Sequence, residues 1–178
     1  MENKIKWVIS QHESTNHKYD SYINYEFHLR MVVQAAKDFI HLIKDSNDGE
    51  SSYRDLIILS AWGHDLIEDC RVSYNDVKLN LGLQAADIVY ALTNEKGRNR
   101  KERASSKYYE GIRNTPGAVF VKLCDRIANT QYSKMTGSRM FEMYRKENTD
   151  FMAQLGWAES KNHEYEEMFR YLINLFAD

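Results

Sequence analysis

The stretch Ala61-Trp62-Gly63-His64-Asp65-Leu66-Ile67-Glu68-Asp69 decides how the chain is read. It follows an apolar run, Leu56-Ile57-Ile58-Leu59, with the character of a buried helix, and it ends in four groups that can bind a metal or move a proton. Buried ionisable groups are costly unless paired or bound to a metal. These side chains therefore need partners from elsewhere in the chain. One helix from Tyr53 to Asp69 is expected, with Ile57, Ala61 and His64 on one face and Glu68 a turn further on. Gly63 leaves room for another helix to approach closely.

Two other helices offer such partners. Between Asn24 and Lys44, the residues His28, Val32, Ala35, Phe39 and Leu42 share one helical face. A later helix, opened by Pro116, is nearly continuously apolar from Ala118 to Leu123 and then carries Asp125, with Asn129 one turn on. An aspartate there fits plain packing poorly unless it pairs with Arg126. A lone histidine on an apolar face is more often a satisfied core residue than a ligand. His28 gains meaning only beside His64, Asp65 and Asp125. Two imidazoles and two carboxylates make a mixed nitrogen–oxygen set that suits a divalent ion, Mn²⁺ first, with Mg²⁺, Fe²⁺ or Zn²⁺ as alternatives. Such an ion activates water for attack on phosphorus. The adjacent Glu68-Asp69 pair can orient that water and take its proton.

Bulk properties set the frame. A chain of 178 residues suits one domain, spanning 1–178. A net charge of −2 gives no global case for a nucleic-acid polymer or a membrane as partner. No apolar run approaches a membrane span, Met1-Glu2-Asn3-Lys4 does not open a secretory leader, and Cys70 with Cys124 cannot build a disulfide framework. A cytoplasmic protein is expected. One proline and long 3.6-residue patterns point to an all-α, single-domain helical bundle.

The remaining expectations are local. Ile5, Val8 and Ile9 mark a short amphipathic helix, followed by a polar segment from Gln11 to Tyr22 in which His12 and His17 read as solvated loop residues. Asp45 to Ser52 reads as a loop. Ser73 should cap a helix from Tyr74 to Leu81 that Gly82 ends, with an apolar helix from Ala85 to Thr93 behind it. Met140 to Lys146 and His163 to Phe176 read as amphipathic helices, with a weaker one from Phe151 to Trp157. The basic segment Lys96, Arg98, Arg100, Lys101, Arg103 and Lys107 reads equally well as a solvated face or an anion-binding rim.

In this order and spacing, His28, His64-Asp65 and Asp125 resemble the HD-domain phosphohydrolase superfamily, whose metal ligands are a distal His, a His-Asp doublet and a later Asp. The likeness is greatest to the Rel/Spo-type alarmone hydrolase domains and the stand-alone small alarmone hydrolases. Their His-Asp-x-x-Glu-Asp motif matches His64 to Asp69, and their Val-Lys-Leu-x-Asp-Arg-x-x-Asn motif matches Val121 to Asn129. Thr93-Asn94-Glu95-Lys96 and Glu102-Arg103 resemble a further motif, and the likeness runs from Tyr19 to Tyr132.

The resemblance implies an HD-type bundle with one Mn²⁺ held by His28, His64, Asp65 and Asp125. It implies water activation by Glu68 and Asp69, nucleotide contact by Asn129, and phosphate contacts by Lys96, Arg100 and Arg103. Lys18, Tyr19 and Tyr132 join the expected substrate contacts. The bond cleaved in that family holds the 3′-pyrophosphate on a guanosine tetra- or pentaphosphate. The chain departs from the pattern at two places. Tyr19-Asp20 stand where an Arg-Lys pair packs on guanine, and Leu29 replaces a proline after the first His. Two alternatives follow: an HD nucleotidase or phosphodiesterase acting on a nucleoside monophosphate, NADPH or a cyclic nucleotide, and a non-catalytic metal- or nucleotide-binding helical module.

Overall fold

Three apolar helices form the centre of the molecule. The computed structural model describes residues 1–45, 52–94, 98–157 and 163–177, apart from the side chains of Arg100 and Lys101. Helix α2 (Glu26–Phe39) buries His28, Leu29, Val32, Val33, Ala35, Ala36 and Phe39, the expected stripe and its neighbours. Helix α9 (Ala118–Thr136) is buried almost without a break from Ala118 to Leu123. The two form the most extensive helix pair in the molecule, and α3 (Tyr53–Gly63) packs beside α2. Burying side chains such as Leu29, Ile57 and Phe120 contributes about 1.5–3 kcal/mol each, enough to hold polar groups at the ends of these helices.

Around this centre lie α1 (Glu2–Ser14), the hairpin of α5 (Tyr74–Leu81) and α6 (Leu83–Leu92), α8 (Ser106–Asn114), α10 (Arg139–Gln154) and α11 (Glu166–Phe176). Short turns α4 (Leu66–Asp69) and α7 (Arg100–Arg103) complete the described helices. The all-α expectation holds, with one addition. A two-residue antiparallel ladder, β1 (Lys18–Tyr19) with β2 (Ile23–Asn24), crosses the segment between α1 and α2. Asp20 and Ser21, both at positive φ, make its turn, and their short polar side chains tolerate that conformation.

Several local expectations are met. Ser73 caps α5 in a capping box with Asp76, and Gly82 ends that helix at φ +106°. Gly63 lies against Leu81, Leu66 and Val89, so a side chain here would collide with the α5–α6 hairpin. Others change. Pro116 precedes α9 rather than opening it, because Gly117 at φ +84° forms the N-cap and lies against Ile57 and Tyr53. Met140 to Lys146 and the first part of Phe151 to Trp157 merge into α10, whose buried face is Tyr144, Phe151 and Met152. The helix from Asn24 is shorter, α2 ending at Phe39 in a 3₁₀ turn over Ile40–Leu42. Most of the 45–52 loop lies outside the described residues.

His12 is not solvated. It closes the last turn of α1 and is 2% exposed, while His17 is half-buried against the ring of Tyr25. The polar residues around the two histidines hid an aromatic cluster that forms only when the hairpin folds back on α1.

Candidate metal centre

The expected helix from Tyr53 to Asp69 breaks at the site itself. Helix α3 ends at Gly63, and Asp65 takes φ −103° and ψ 4° before α4 begins. This backbone region is sparsely populated and frequent at active sites. The break has a geometric reason: adjacent residues on an unbroken helix point about 100° apart. Here His64 Nε2 and Asp65 Oδ2 meet at 2.8 Å.

The three central helices converge on that point. His28 Nε2, from α2, lies 3.3 Å from His64 Nε2, 3.7 Å from Asp65 Oδ2 and 3.5 Å from Asp125 Oδ1. Asp125 Oδ1, from α9, is 3.8 Å from His64 Nε2. His64 Nδ1 donates to the Ala61 carbonyl at 2.9 Å, which leaves Nε2 of the neutral ring bare and facing the cluster. Asp125 Oδ2 receives Lys122 Nζ at 3.1 Å, and its Oδ1 also accepts from the Asn129 amide. Tyr25 donates its hydroxyl to Asp65 Oδ2.

This donor set fits a divalent cation. Ligand atoms about 2.1 Å from one ion stand about 3 Å apart at right angles, close to the separations seen here. His28, His64 and Asp65 bring three ligand atoms within 4.8 Å of one another, and Asp125 stands outside that group, close to its two histidines only. The charges agree. Burial favours a neutral Asp125, yet Lys122 and the two histidines hold its carboxyl well below the usual carboxylate range. Burial likewise favours neutral His64, yet Asp65 and Asp125 raise it to about 9. Ionised carboxylates beside two imidazoles draw positive charge into the cluster, and a divalent ion would supply it in place of protons.

Three of the cluster residues, His28, Asp65 and Asp125, line a cleft of about 580 Å³, with His64 behind them. Glu68 and Asp69 lie on its wall. Glu68 accepts the Asn94 side-chain amide at 2.8 and 3.0 Å. Burial, Asp65 and Glu68 push Asp69 up to about 7, so it can take and release a proton near neutrality. Arg103 and Asn129 also line the cleft. Lys96 lies outside the described residues, as does the side chain of Arg100.

Lys18, Tyr19 and Tyr132 do not line this cleft. Lys18 is exposed and donates to Asn24 Oδ1 across the hairpin at 2.7 Å. Tyr19 stacks on His28 (ring centroids 4.8 Å apart, planes 16° apart) and donates to Asn129 Oδ1 at 2.9 Å. Tyr132 donates to Asp20 Oδ2 at 2.7 Å, so the hairpin is pinned to α9. Tyr19 and Tyr132 thus have intramolecular partners in His28, Asn129 and Asp20, and Lys18 has one in Asn24.

The sequence reading missed Tyr25, Lys122, Arg126, Tyr108, Tyr109, Tyr144 and Phe151, all on the cleft wall. Two had a visible signal. Tyr25 precedes His28 by three residues and Lys122 precedes Asp125 by three, the spacing of facing side chains on a helix. Arg126 stands inside the Val121–Asn129 motif, next to Asp125, while Tyr108, Tyr109, Tyr144 and Phe151 come from α8 and α10, outside the motifs. Arg126 does not pair with Asp125. Its guanidinium stacks on Phe151 (4.2 Å) and Tyr144 (4.7 Å) and meets Glu147 at 3.4 Å.

No protein-family model matches the chain. Two curated proteins, from Homo sapiens and Mus musculus, both named guanosine-3′,5′-bis(diphosphate) 3′-pyrophosphohydrolase MESH1, are each 27% identical over 127 residues, covering 70% of this chain and 71% of their own. The chain is thus similar to these 3′-pyrophosphohydrolases over about two thirds of its length. A solved structure, described as a metazoan ortholog of SpoT that hydrolyses ppGpp and plays a role in starvation responses, matches at TM-score 0.68 and 17% identity. That match covers 98% of this chain and 92% of the other, so the HD-type fold extends to α10 and α11, beyond the motifs. Among the described residues no helix is long and apolar enough to cross a membrane.

Proposed function

We propose that the chain is a metal-dependent nucleotide phosphohydrolase that removes the 3′-pyrophosphate from guanosine alarmones such as ppGpp. The observation that carries this reading is the convergence of His28, His64, Asp65 and Asp125 beside a cleft that His28, Asp65 and Asp125 line together with Glu68 and Asp69. The similarity to MESH1 supports the substrate. His28, His64, Asp65 and Asp125 would hold one divalent ion, which we take to be Mn²⁺ given the mixed nitrogen–oxygen set. When bound, the ion lowers the pKa of water and polarises the phosphoryl group.

The protein groups carry the remaining steps. Asp69 accepts the proton of the attacking water and Glu68, anchored by Asn94, orients that water. Lys122, held beside Asp125, and Arg103 add positive charge on the wall for the phosphates. Arg126 holds α9 to α10 and fixes the far wall. We read residues 1–178 as one HD-type domain. Cys70 and Cys124 are buried and free, which suits a reducing cytoplasm.

A second reading keeps the chemistry and changes the nucleotide. Asn129 spends its amide on Asp125 and one acceptor position of its carbonyl on Tyr19, so Tyr19 competes with a nucleotide for that side chain. This favours testing nucleoside monophosphates, NADPH and cyclic nucleotides alongside ppGpp. The purified, Mn²⁺-loaded protein should release pyrophosphate from ppGpp. Release of orthophosphate from another nucleotide, with ppGpp left intact, would replace the first reading by the second.

A further inference from the structure

Tyr25 stands where two cavities meet. It lines the 580 Å³ cleft and also a second cavity of about 200 Å³ on the N-terminal side, bounded by His12, His17, Lys18 and Glu26 among others. On the cleft side its hydroxyl donates to Asp65 Oδ2, the oxygen that faces both His64 Nε2 (2.8 Å) and His28 Nε2 (3.7 Å). A carboxylate turns readily about its last bond unless something holds it. Groups that hold metal-binding side chains in this way typically matter 10- to 100-fold to metal affinity.

The phenol ring is itself held. His12 and His17 lie nearly parallel to it, with centroids at 4.6 and 3.9 Å and planes 14° and 22° away. Their own centroids are only 5.5 Å apart, too close for opposite faces of Tyr25, so they lie side by side against it. Their Nδ1 atoms meet at 3.3 Å, which joins them into one flat platform. Backbone geometry fixes the platform: His17 N–H donates to the His12 carbonyl at 3.1 Å, across Asn16 at φ +51°. His28 closes the edge of Tyr25 at 5.2 Å and 62°.

We propose that Tyr25 is a positioning residue for Asp65, and that the His12–His17 pair is the platform that aims its hydroxyl, neither histidine being a ligand. The inference rests on the reading of His28, His64, Asp65 and Asp125 as a metal centre. The competing role for His17, a nitrogen acting on Asp69, has only a 3.8 Å separation behind it, beyond hydrogen-bond length.

The test is the Mn²⁺ dissociation constant of the whole chain, measured by calorimetry and by the electron paramagnetic resonance of free Mn²⁺, with no substrate present. Tyr25→Phe keeps the stack and removes the hydroxyl, and should weaken binding by about 10- to 100-fold. His17→Ala should weaken it by about 3- to 10-fold, and by nothing further in the Tyr25→Phe background, because both act through one hydroxyl. His17→Phe, which restores a flat ring, should bind within about twofold of the parent. The inference is overturned if Tyr25→Phe binds as well as the parent, if the His17→Ala loss persists without the hydroxyl, or if His17→Phe is as weak as His17→Ala. The two ring-conserving variants decide the matter even if His17→Ala folds poorly. A separate control isolates the metal-site reading: binding that His64→Ala leaves unchanged overturns that reading, and this inference with it.

Discussion

Two histidine pairs meet near Tyr25, one stacked on its face and one reaching its edge through His28, each with ring nitrogens 3.3 Å apart, and they have opposite chemistry. His28 and His64 meet through Nε2 and share their space with Asp65 and Asp125. His12 and His17 meet through Nδ1, with Asp69 3.8 Å from His17 and Asp65 acting on both rings from further away. Burial alone works against charge on His64, His12 and His17. At His64 the carboxylates overcome it and raise the ring to about 9. At His12 burial wins and pushes the ring down to about 4. The first pair is built to face a cation. The second stays neutral and acts as an aromatic surface, with His12 Nε2 buried and without a hydrogen-bond partner among the described residues. The separation between two imidazoles therefore says little about their role. The carboxylates around them decide it.

The largest effect should come from breaking the first pair. His64→Ala should abolish measurable Mn²⁺ binding and pyrophosphate release together, as metal analysis and an ion-exchange assay of the products would record. Retained activity in a metal-free variant would remove the basis of the comparison. The Glu68→Gln/Asp69→Asn variant separates holding the ion from using it. It should bind Mn²⁺ within a few-fold of the parent and lose about 10²- to 10⁴-fold in kcat. Full activity in that variant would reassign the proton transfer to another group.

The second pair should show itself in stability rather than in chemistry. The ordinary histidine value of 6.5 falls to about 4 at His12 in the folded chain. Between those values the unfolded chain binds a proton that the folded chain refuses, so stability present above pH 6.5 is lost as pH falls toward 4. The loss is at most about 3 kcal/mol. Urea midpoints from pH 7 to pH 4.5 should fall less steeply in His12→Leu than in the parent. Equal slopes would mean that His12 titrates normally. The smallest effect expected is that of Tyr19→Phe, which removes the hydrogen bond to Asn129 and should lower stability by about 1 kcal/mol. By freeing the Asn129 carbonyl it should also change KM for a nucleotide more than kcat. An unchanged KM would place Asn129 outside substrate contact.

The motif helices were legible for a physical reason. His28, His64, Asp65 and Asp125 interrupt long apolar runs, and polar groups in such runs carry an energetic cost that needs an explanation. Ser73 and Gly82 were legible because a cap and a left-handed end are local requirements. The wall of α8 and α10 was not. Tyr108, Tyr109, Tyr144 and Phe151 carry no local sign that they face a cleft rather than the core, and their periodicity reads as either. Arg126 follows Asp125 directly, yet its partners are Glu147 and two rings of α10.

The sequence by itself determined the helical class, the central helices, and the four side chains able to take a divalent ion. These follow from periodicity and from the cost of burying charge, both of which act along a single helix. Only the tertiary structure decided which histidines meet carboxylates. It broke the helix at Asp65 so that two neighbouring side chains point at one place. It also folded the hairpin back so that His12 and His17, polar residues in a polar segment, became the platform under Tyr25. That outcome depends on contacts between residues in α1, the hairpin and α2, which no pattern within one element encodes.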